Sequence, residues 1–246
     1  MSSSSPSQTE GSDFGQIADA LRVSLIIFYS RRGRGLKGTA DASTLERNSG
    51  LVERRGRSLL EIFFRRSGRS SLQGLRLLEL GCGFGALAVY FAWQGAEVVG
   101  VDHEPDRFAV GAGVAEEHGL DLGFVRADLA TFDLPSESFD LVVMDNVLLP
   151  VVEREQRLAL LGRARSVLRP GGSLLLRSPN RWSPRMAKRL GRAHGPFHLG
   201  SPPESAREIR EAGFAEVRNV APPSRRWPAL LKPIAPYLHL IAQRSA

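Results

Sequence analysis

The run Leu77-Leu78-Glu79-Leu80-Gly81-Cys82-Gly83-Phe84-Gly85 constrains this chain most: an apolar, strand-like segment ends in three alternate glycines. Glycine lacks a Cβ, so the main chain there takes positive φ values and approaches a ligand more closely than a side chain would permit. The apolar stretch reads as a strand, and Ala86 to Gln94 as the helix that follows it. A strand, a glycine loop and a helix in that order form the ligand-bearing end of an α/β unit.

From Leu75 onward, short apolar runs alternate with longer amphipathic ones. Strands are predicted at Leu75–Leu80, Glu97–Val101, Leu122–Arg126, Phe139–Met144, Gly172–Leu176, Ala215–Val220 and Tyr237–Ala242. Between the first six lie helices, at Ala86–Gln94, Glu104–Glu117 with Pro105 in its first turn, Glu153–Leu168, and Pro203–Ala212 before Gly213. This alternation predicts an α/β fold with a Rossmann-like, doubly wound, mainly parallel sheet. Three regions follow: a Ser-rich tail over residues 1–13 that is expected to be disordered, an N-terminal helical appendage over 14–70, and the sheet domain over 71–246. Within the appendage, helix-like spacing covers Ile17–Tyr29 and Leu51–Phe64, separated by the Gly/Arg-rich segment Arg31–Gly38.

A formal charge of +7 raises the question of a nucleic-acid partner. All but Lys37, Lys188 and Lys232 of the 33 basic residues are arginine, a skew that reads as compositional bias and not as a phosphate-binding patch. Cys82 is the only cysteine, so an intramolecular disulfide or cysteine-based zinc cluster is ruled out; a reducing compartment is expected and no metal ligand set is predicted. The apolar run Val23–Tyr29 is too short to span a bilayer and has no cationic region before it, so a cytoplasmic protein without a membrane span is expected.

In open α/β sheets ligands sit beyond the carboxyl ends of the strands, where the strand order reverses. Past the first strand lies the glycine loop, with Glu79 just before it; past the second comes Asp102-His103; past the third, Asp128-Leu129; past the fourth, Asp145-Asn146. Asp102 stands 21 residues after Gly81, the offset at which an acid accepts hydrogen bonds from a ribose diol. Gly81, Gly83 and Ala86 also satisfy the dinucleotide pattern, which leaves a nicotinamide-dependent oxidoreductase open as a reading of the loop alone. Asp128 shifts the balance, since it is placed to accept from an adenine amino group while the Leu129 amide donates to a ring nitrogen. Glu79 adds negative potential that suits an ammonium or sulfonium and not a pyrophosphate.

With these residues the chain resembles the class I S-adenosylmethionine-dependent methyltransferases of the small-molecule type, from about Leu75 to the C-terminus. Leu78–Gly85 resembles that family's first motif, Val99-Gly100-Val101-Asp102 its ribose-binding motif, and Ala127-Asp128-Leu129 with Phe139–Val143 its adenine-binding motif and next strand. Leu168–Leu174 resembles its turn into the fifth strand. The resemblance implies a seven-stranded sheet in the order 3-2-1-4-5-7-6 with an antiparallel last strand, and S-adenosyl-L-methionine as cofactor. It implies that Gly81, Cys82, Gly83 and Gly85 face the methionine portion beside Glu79, and that Asp102 holds the ribose. His103 would lie against adenine, Asp128 and Leu129 would read its edge, and Asp145 and Asn146 would border the methionine end.

Methyl transfer from a sulfonium is an in-line displacement, in which alignment and exclusion of water matter most and an added base is optional. Family members often carry a Glu-His pair after the fourth strand; here the sequence is Val147-Leu148-Leu149-Pro150-Val151. That departure argues against carrying over acid/base or metal-assisted chemistry, and against quinone-type catechol O-methylation. The acceptor-side candidates lie in the long insertion after the fifth strand: Arg181, Trp182, and His194 and His198 as candidate bases, with Tyr29 placed to close over the site. The expected partner is a small or medium-sized organic acceptor. RNA- or DNA-directed methylation stands as the alternative that charge favours; the absence of an Asn/Asp-Pro-Pro-Tyr/Phe-type motif argues against base amino-group methylation.

Overall fold

A computed structural model describes residues 14–31, 42–190, 197–220 and 234–245. The tail over 1–13, most of the Gly/Arg-rich segment and His194 lie outside the described residues. In chain order the elements are α1 (Phe14–Arg31), α2 (Ala42–Ser67), β1 (Arg76–Leu80), α3 (Ala86–Trp93), β2 (Glu97–Asp102), α4 (Pro105–Glu117) and β3 (Leu122–Arg126). They continue with β4 (Phe139–Asp145), α5 (Arg154–Val167), β5 (Leu168–Pro179), α6 (Pro184–Leu190), α7 (Pro202–Glu211), β6 (Ala215–Asn219) and β7 (Tyr237–Gln243).

The sheet has seven strands in the order β3-β2-β1-β4-β5-β7-β6, with β7 antiparallel to both neighbours. The chain winds outward from β1 through β2 to β3 and then returns to pair β4 on the other side of β1. The order therefore reverses at the carboxyl ends of β1 and β4, which fixes the crevice where a ligand site belongs.

Successive strand residues feed opposite cores, as the two-residue period requires. Leu77, Leu141, Val143, Leu175 and Ile241 pack with α1, α2 and α3 on one face. Leu78, Leu80, Val142, Met144, Leu174 and Leu176 pack with α5 and α7 on the other. Ile17 and Leu21 of α1 and Leu59 and Phe63 of α2 belong to the first core, so the N-terminal helices are anchored to the sheet by ordinary apolar burial.

Two boundaries differ from the sequence reading. Helix α2 starts at Ala42, well ahead of Leu51, because residues 42–50 hold little apolar periodicity to mark them. Strand β5 starts at Leu168, which pairs Phe139 ahead of a register shift, while the glycines that suggested a turn lie inside it, Gly171 at φ 78°.

Candidate functional site

The glycine loop is folded largely by backbone groups. Gly81 and Cys82 N–H donate to the Val101 carbonyl at 2.8 and 3.1 Å, which binds the loop to β2, and Gly85 N–H donates to Cys82 O at 2.9 Å. Gly81, Gly83 and Gly85 have φ of 68°, 54° and 73°, a left-handed region in which a side chain is strained. Space forbids one as well, since a Cβ on Gly85 would fall 2.6 Å from Phe124 Cζ and one on Gly81 2.9 Å from Val147 Cγ2. Cys82 is buried and its thiol is pushed up by desolvation, then by Glu79, so it packs the loop and offers no nucleophile.

Asp102, at the end of β2, is 6% exposed. It accepts from Gly83 N–H at 2.9 Å and Glu104 N–H at 3.1 Å. Each carboxylate oxygen keeps a further lone pair, so one side chain shapes the loop and still has capacity for a diol. His103 is largely exposed, its ring nitrogens 3.3 Å from Asp102 Oδ1 and 3.4 Å from Glu104 Oε1. Asp128 is exposed and accepts from Ala130 N–H at 2.8 Å, so it caps its own turn. Leu129 approaches the same loop, its Cδ1 3.6 Å from the position of a Cβ on Gly81.

At the switch point two carboxylates meet two arginines. Asp145, with a side chain 5% exposed, pairs through Oδ2 with Arg55 Nη1 at 2.8 Å and through Oδ1 with Arg177 Nη1 at 2.6 Å. The Arg177 guanidinium lies 3.5 Å from the centre of the Tyr237 ring, a cation–π contact that holds it in place. Glu79 is 3% exposed, and burial raises its carboxyl well above the usual range; Asp145 raises it further, and Arg55 only partly offsets this. Its Oε2 is buried without a hydrogen-bond partner, and so is Oδ1 of Asn146. Asn146 stands at φ 62°, with its N–H bonded to Arg177 O at 2.8 Å. Two buried acceptors without donors, next to a loop that excludes side chains, fit a ligand bearing a compact multi-donor cation.

Helix α1 closes one side of the loop. Phe28 meets the Phe84 ring edge-on at 5.2 Å, Tyr29 lies 5.9 Å from it, and the Arg107 guanidinium is 4.9 Å from its centre. Tyr29 thus lies beside Phe84 of the glycine loop. Arg55, Phe28, Arg177 and Tyr237 escaped the sequence reading. Arg55 sits one helical turn before the buried Leu59, on the packed face of α2, but Arg54 and Arg57 beside it leave nothing in the sequence to single it out.

Of the residues that the sequence suggests for the acceptor side, Arg181 and His198 lie beyond β5, near Glu204 at the amino end of α7. Arg181 N–H donates to Gly200 O at 3.1 Å and its side chain pairs Glu204 at 3.1 Å. With Ser201, Pro203 and Arg207 these two line a cavity of about 420 Å³. Trp182 is 46% exposed and is not part of that lining. His198 is half-buried; its N–H donates to Leu149 O at 2.8 Å, which ties it to the loop after β4. Burial lowers the pKa of the His198 imidazole, and Arg157 lowers it further. Its ring nitrogen and one oxygen each of Glu204 and Glu208 lie within 4.8 Å of one another.

Glu208 is held by a buried two-pronged pair with Arg157, at 2.6 and 3.0 Å, and Arg157 Nη1 also donates to the Val151 and Val152 carbonyls. No local sequence pattern signals this pair. Two arginines thus neutralise the two carboxylates nearest His198, which disfavours a cation there. A second cavity of about 200 Å³, between α2 and α3, is lined by Glu53, Arg57, Phe64, Tyr90 and Trp93 among others, away from these loops.

Residues 77–172 match the Methyltransferase domain family. The chain is 36% identical over 120 residues to the Ubiquinone biosynthesis O-methyltransferase of Bradyrhizobium sp. (strain ORS 278), covering 48% of this chain and 46% of that protein. It thus spans less than half the length of this relative. Among solved structures, an S-adenosylmethionine-dependent methyltransferase from Mesorhizobium loti superposes with a TM-score of 0.56 at 22% identity, over 73% of this chain and 95% of that one. The apo form of the S-adenosylmethionine-dependent methyltransferase SibL superposes with a TM-score of 0.65 at 22% identity, over 94% of this chain and 70% of that one. No helix among the described residues is long and apolar enough to cross a membrane.

Proposed function

We propose that this chain is a class I S-adenosylmethionine-dependent methyltransferase, a reading supported by the match of residues 77–172 to the Methyltransferase domain family and by the likeness of its fold to such enzymes, and that it transfers a methyl group from S-adenosylmethionine to a small organic acceptor. The observation that carries this reading is the pairing of a side-chain-excluding loop with two unsatisfied buried acceptors, Glu79 Oε2 and Asn146 Oδ1, at the switch point. A polyanionic dinucleotide meets buried carboxylates there, whereas an ammonium beside a sulfonium supplies both donors and positive charge.

The residues divide the work by position. Glu79 and Asn146 receive the ammonium. Arg55 is 33% exposed and already reaches Asp145, so its free N–H groups are the cation available to the cofactor's carboxylate. Asp102 takes the ribose hydroxyls on the lone pairs that Gly83 and Glu104 leave open. Asp128, Leu129 and His103 border the adenine, with the second oxygen of Asp128 serving its amino group. Bound cofactor supplies a methyl group on a positively charged sulfur, and the protein's task is to align an acceptor in line with it and exclude water. Phe28 and Tyr29 over Phe84 perform the exclusion on the loop side.

The acceptor side is this chain's own. The family match ends at Gly172, ahead of Arg181, Trp182 and His198, and Leu149-Pro150 replaces the Glu-His pair of the resembled family. Calorimetric titration with S-adenosylhomocysteine tests the donor half, and turnover of labelled cofactor against an acceptor panel tests the transfer. No binding to the intact protein would refute the donor reading.

A further inference from the structure

We propose that the cavity between α2 and α3 is a second ligand site, that it takes a small primary ammonium with an apolar body, and that filling it strengthens the donor site. The cavity stands on its own residues; its effect on the donor site rests on the methyltransferase reading above.

The cavity holds about 200 Å³ and lies away from the loops at the strand ends. Its walls are aromatic: Phe64 comes from α2, Tyr90 and Trp93 from α3, and Leu60 adds an aliphatic surface. The Tyr90 and Trp93 rings stand 5.8 Å apart, and both pack on Phe14 of α1, at 5.0 and 5.1 Å between ring centres. These two walls are therefore in place before a ligand arrives, so binding has few side chains to order.

Three charged residues line the cavity, Glu53, Arg57 and Glu61. Arg57 pairs Glu53, one turn before it on α2, and also donates to the Tyr90 hydroxyl. Burial above all raises the Tyr90 phenol, which stays uncharged. Glu61 is left over: its Oε2 is buried and has no hydrogen-bond partner among the described residues. A carboxylate can only accept, and leaving one buried oxygen without a donor costs about 1–3 kcal/mol.

Aromatic walls beside one unanswered carboxylate select a cation that carries N–H groups. An anionic ligand is repelled by Glu61, and an apolar one leaves its oxygen unsatisfied. A quaternary ammonium brings charge without a donor. A primary ammonium on an apolar body answers both the rings and the carboxylate, and the volume limits that body to a single ring with a short arm.

The cavity reaches the donor site through the two helices that form it. Glu61 shares α2 with Arg55, which pairs Asp145 at 2.8 Å. Tyr90 and Trp93 share α3 with Gly85 of the glycine loop, its N-cap. A ligand held by both helices clamps them together. Freedom lost when one site fills is not lost again at the other, so each ligand should tighten its counterpart.

The test titrates the intact protein with phenethylammonium, with 2-phenylethanol as its uncharged analogue and tetramethylammonium as a cation without donors. Calorimetry should show one-to-one binding of phenethylammonium, and affinities about tenfold or more lower for the other two. E61Q should lose about tenfold or more of the phenethylammonium affinity, and F64W, which fills the cavity, should lose binding altogether, both with the parent's circular dichroism. S-adenosylhomocysteine should not displace phenethylammonium. Each should instead tighten the other by about fivefold or more, with slower hydrogen exchange in α2 when phenethylammonium is bound. No heat from phenethylammonium, equal affinity for 2-phenylethanol, unchanged binding by E61Q, or competition with S-adenosylhomocysteine would overturn the site. Independent binding of the two ligands would overturn the coupling and leave the site standing. Failure of S-adenosylhomocysteine to bind, with phenethylammonium bound as expected, would overturn the donor reading and not the site.

Discussion

Arg55 Nη1 lies 2.8 Å from Asp145 Oδ2, which joins the N-terminal helix α2 to the carboxyl end of β4 at the point where the strand order reverses. The contact ties the helical region to the switch point. In the proposed function one guanidinium then has two tasks: to neutralise Asp145, and to face the carboxylate of a bound cofactor.

Replacing Arg55 by Met separates these roles. Arg177 still holds Asp145 at 2.6 Å, and Arg55 is a third exposed, so the stability loss should be only about 1 kcal/mol. Affinity for S-adenosylhomocysteine should fall about tenfold or more, since a charge-assisted pair with the ligand is lost. Denaturant midpoints and calorimetry measure the two effects separately.

Glu79 gives a pH signature. Its carboxyl is raised by burial and by Asp145, so above the ordinary carboxylate range the unfolded chain releases a proton that the folded protein retains. Ionisation therefore favours the unfolded state, and stability falls with rising pH until Glu79 itself ionises. E79Q should be more stable than the parent, by a margin absent below the ordinary carboxylate pKa and growing above it. Denaturant unfolding of both proteins across that range reads the difference directly.

The Arg157–Glu208 pair is buried, with side chains only 4% and 2% exposed. R157M strands the Glu208 carboxylate and frees the Val151 and Val152 carbonyls, so it should cost about 3–5 kcal/mol. The double variant R157M/E208L should recover much of that loss in denaturant midpoint, because no buried charge is left unpaired.

How much of this was legible in the sequence follows from the kind of signal each element carries. All seven strands and the glycine loop were, because apolar runs and alternate glycines report their own local geometry. Asp102 follows Gly81 by a fixed offset within one β-α-β unit, so its position past β2 is legible, whereas its hydrogen bond from Gly83 N–H is seen only in the structure. The clusters around Asp145 and His198 were not, because they are built from pairs 90 and 32 residues apart (Arg55, Arg177) and 51 apart (Arg157, Glu208). In a chain with so many arginines, no local pattern tells a buried guanidinium from a solvated one. Helix α6 occupies part of the insertion that the sequence reading kept for acceptor-side residues.

Gly56 tests how tightly α2 is seated. A Cβ there would fall 2.2 Å from Tyr90 Cδ1, so G56A should destabilise by about 1–3 kcal/mol through overpacking, against a gain of about 1 kcal/mol in helix propensity. A net fall in thermal midpoint is expected, and G56A/Y90L should reverse it.

In the proposed function the carboxyl edge of β1, β2 and β4 binds S-adenosylmethionine. Calorimetry of S-adenosylhomocysteine with the intact protein, D102N and D102A tests it most directly. The intact protein should bind one-to-one, D102A about tenfold or more weakly as charge-assisted hydrogen bonds to the ribose are lost, and D102N should fall between the two. No heat from the intact protein, or undiminished binding by D102A, would contradict it.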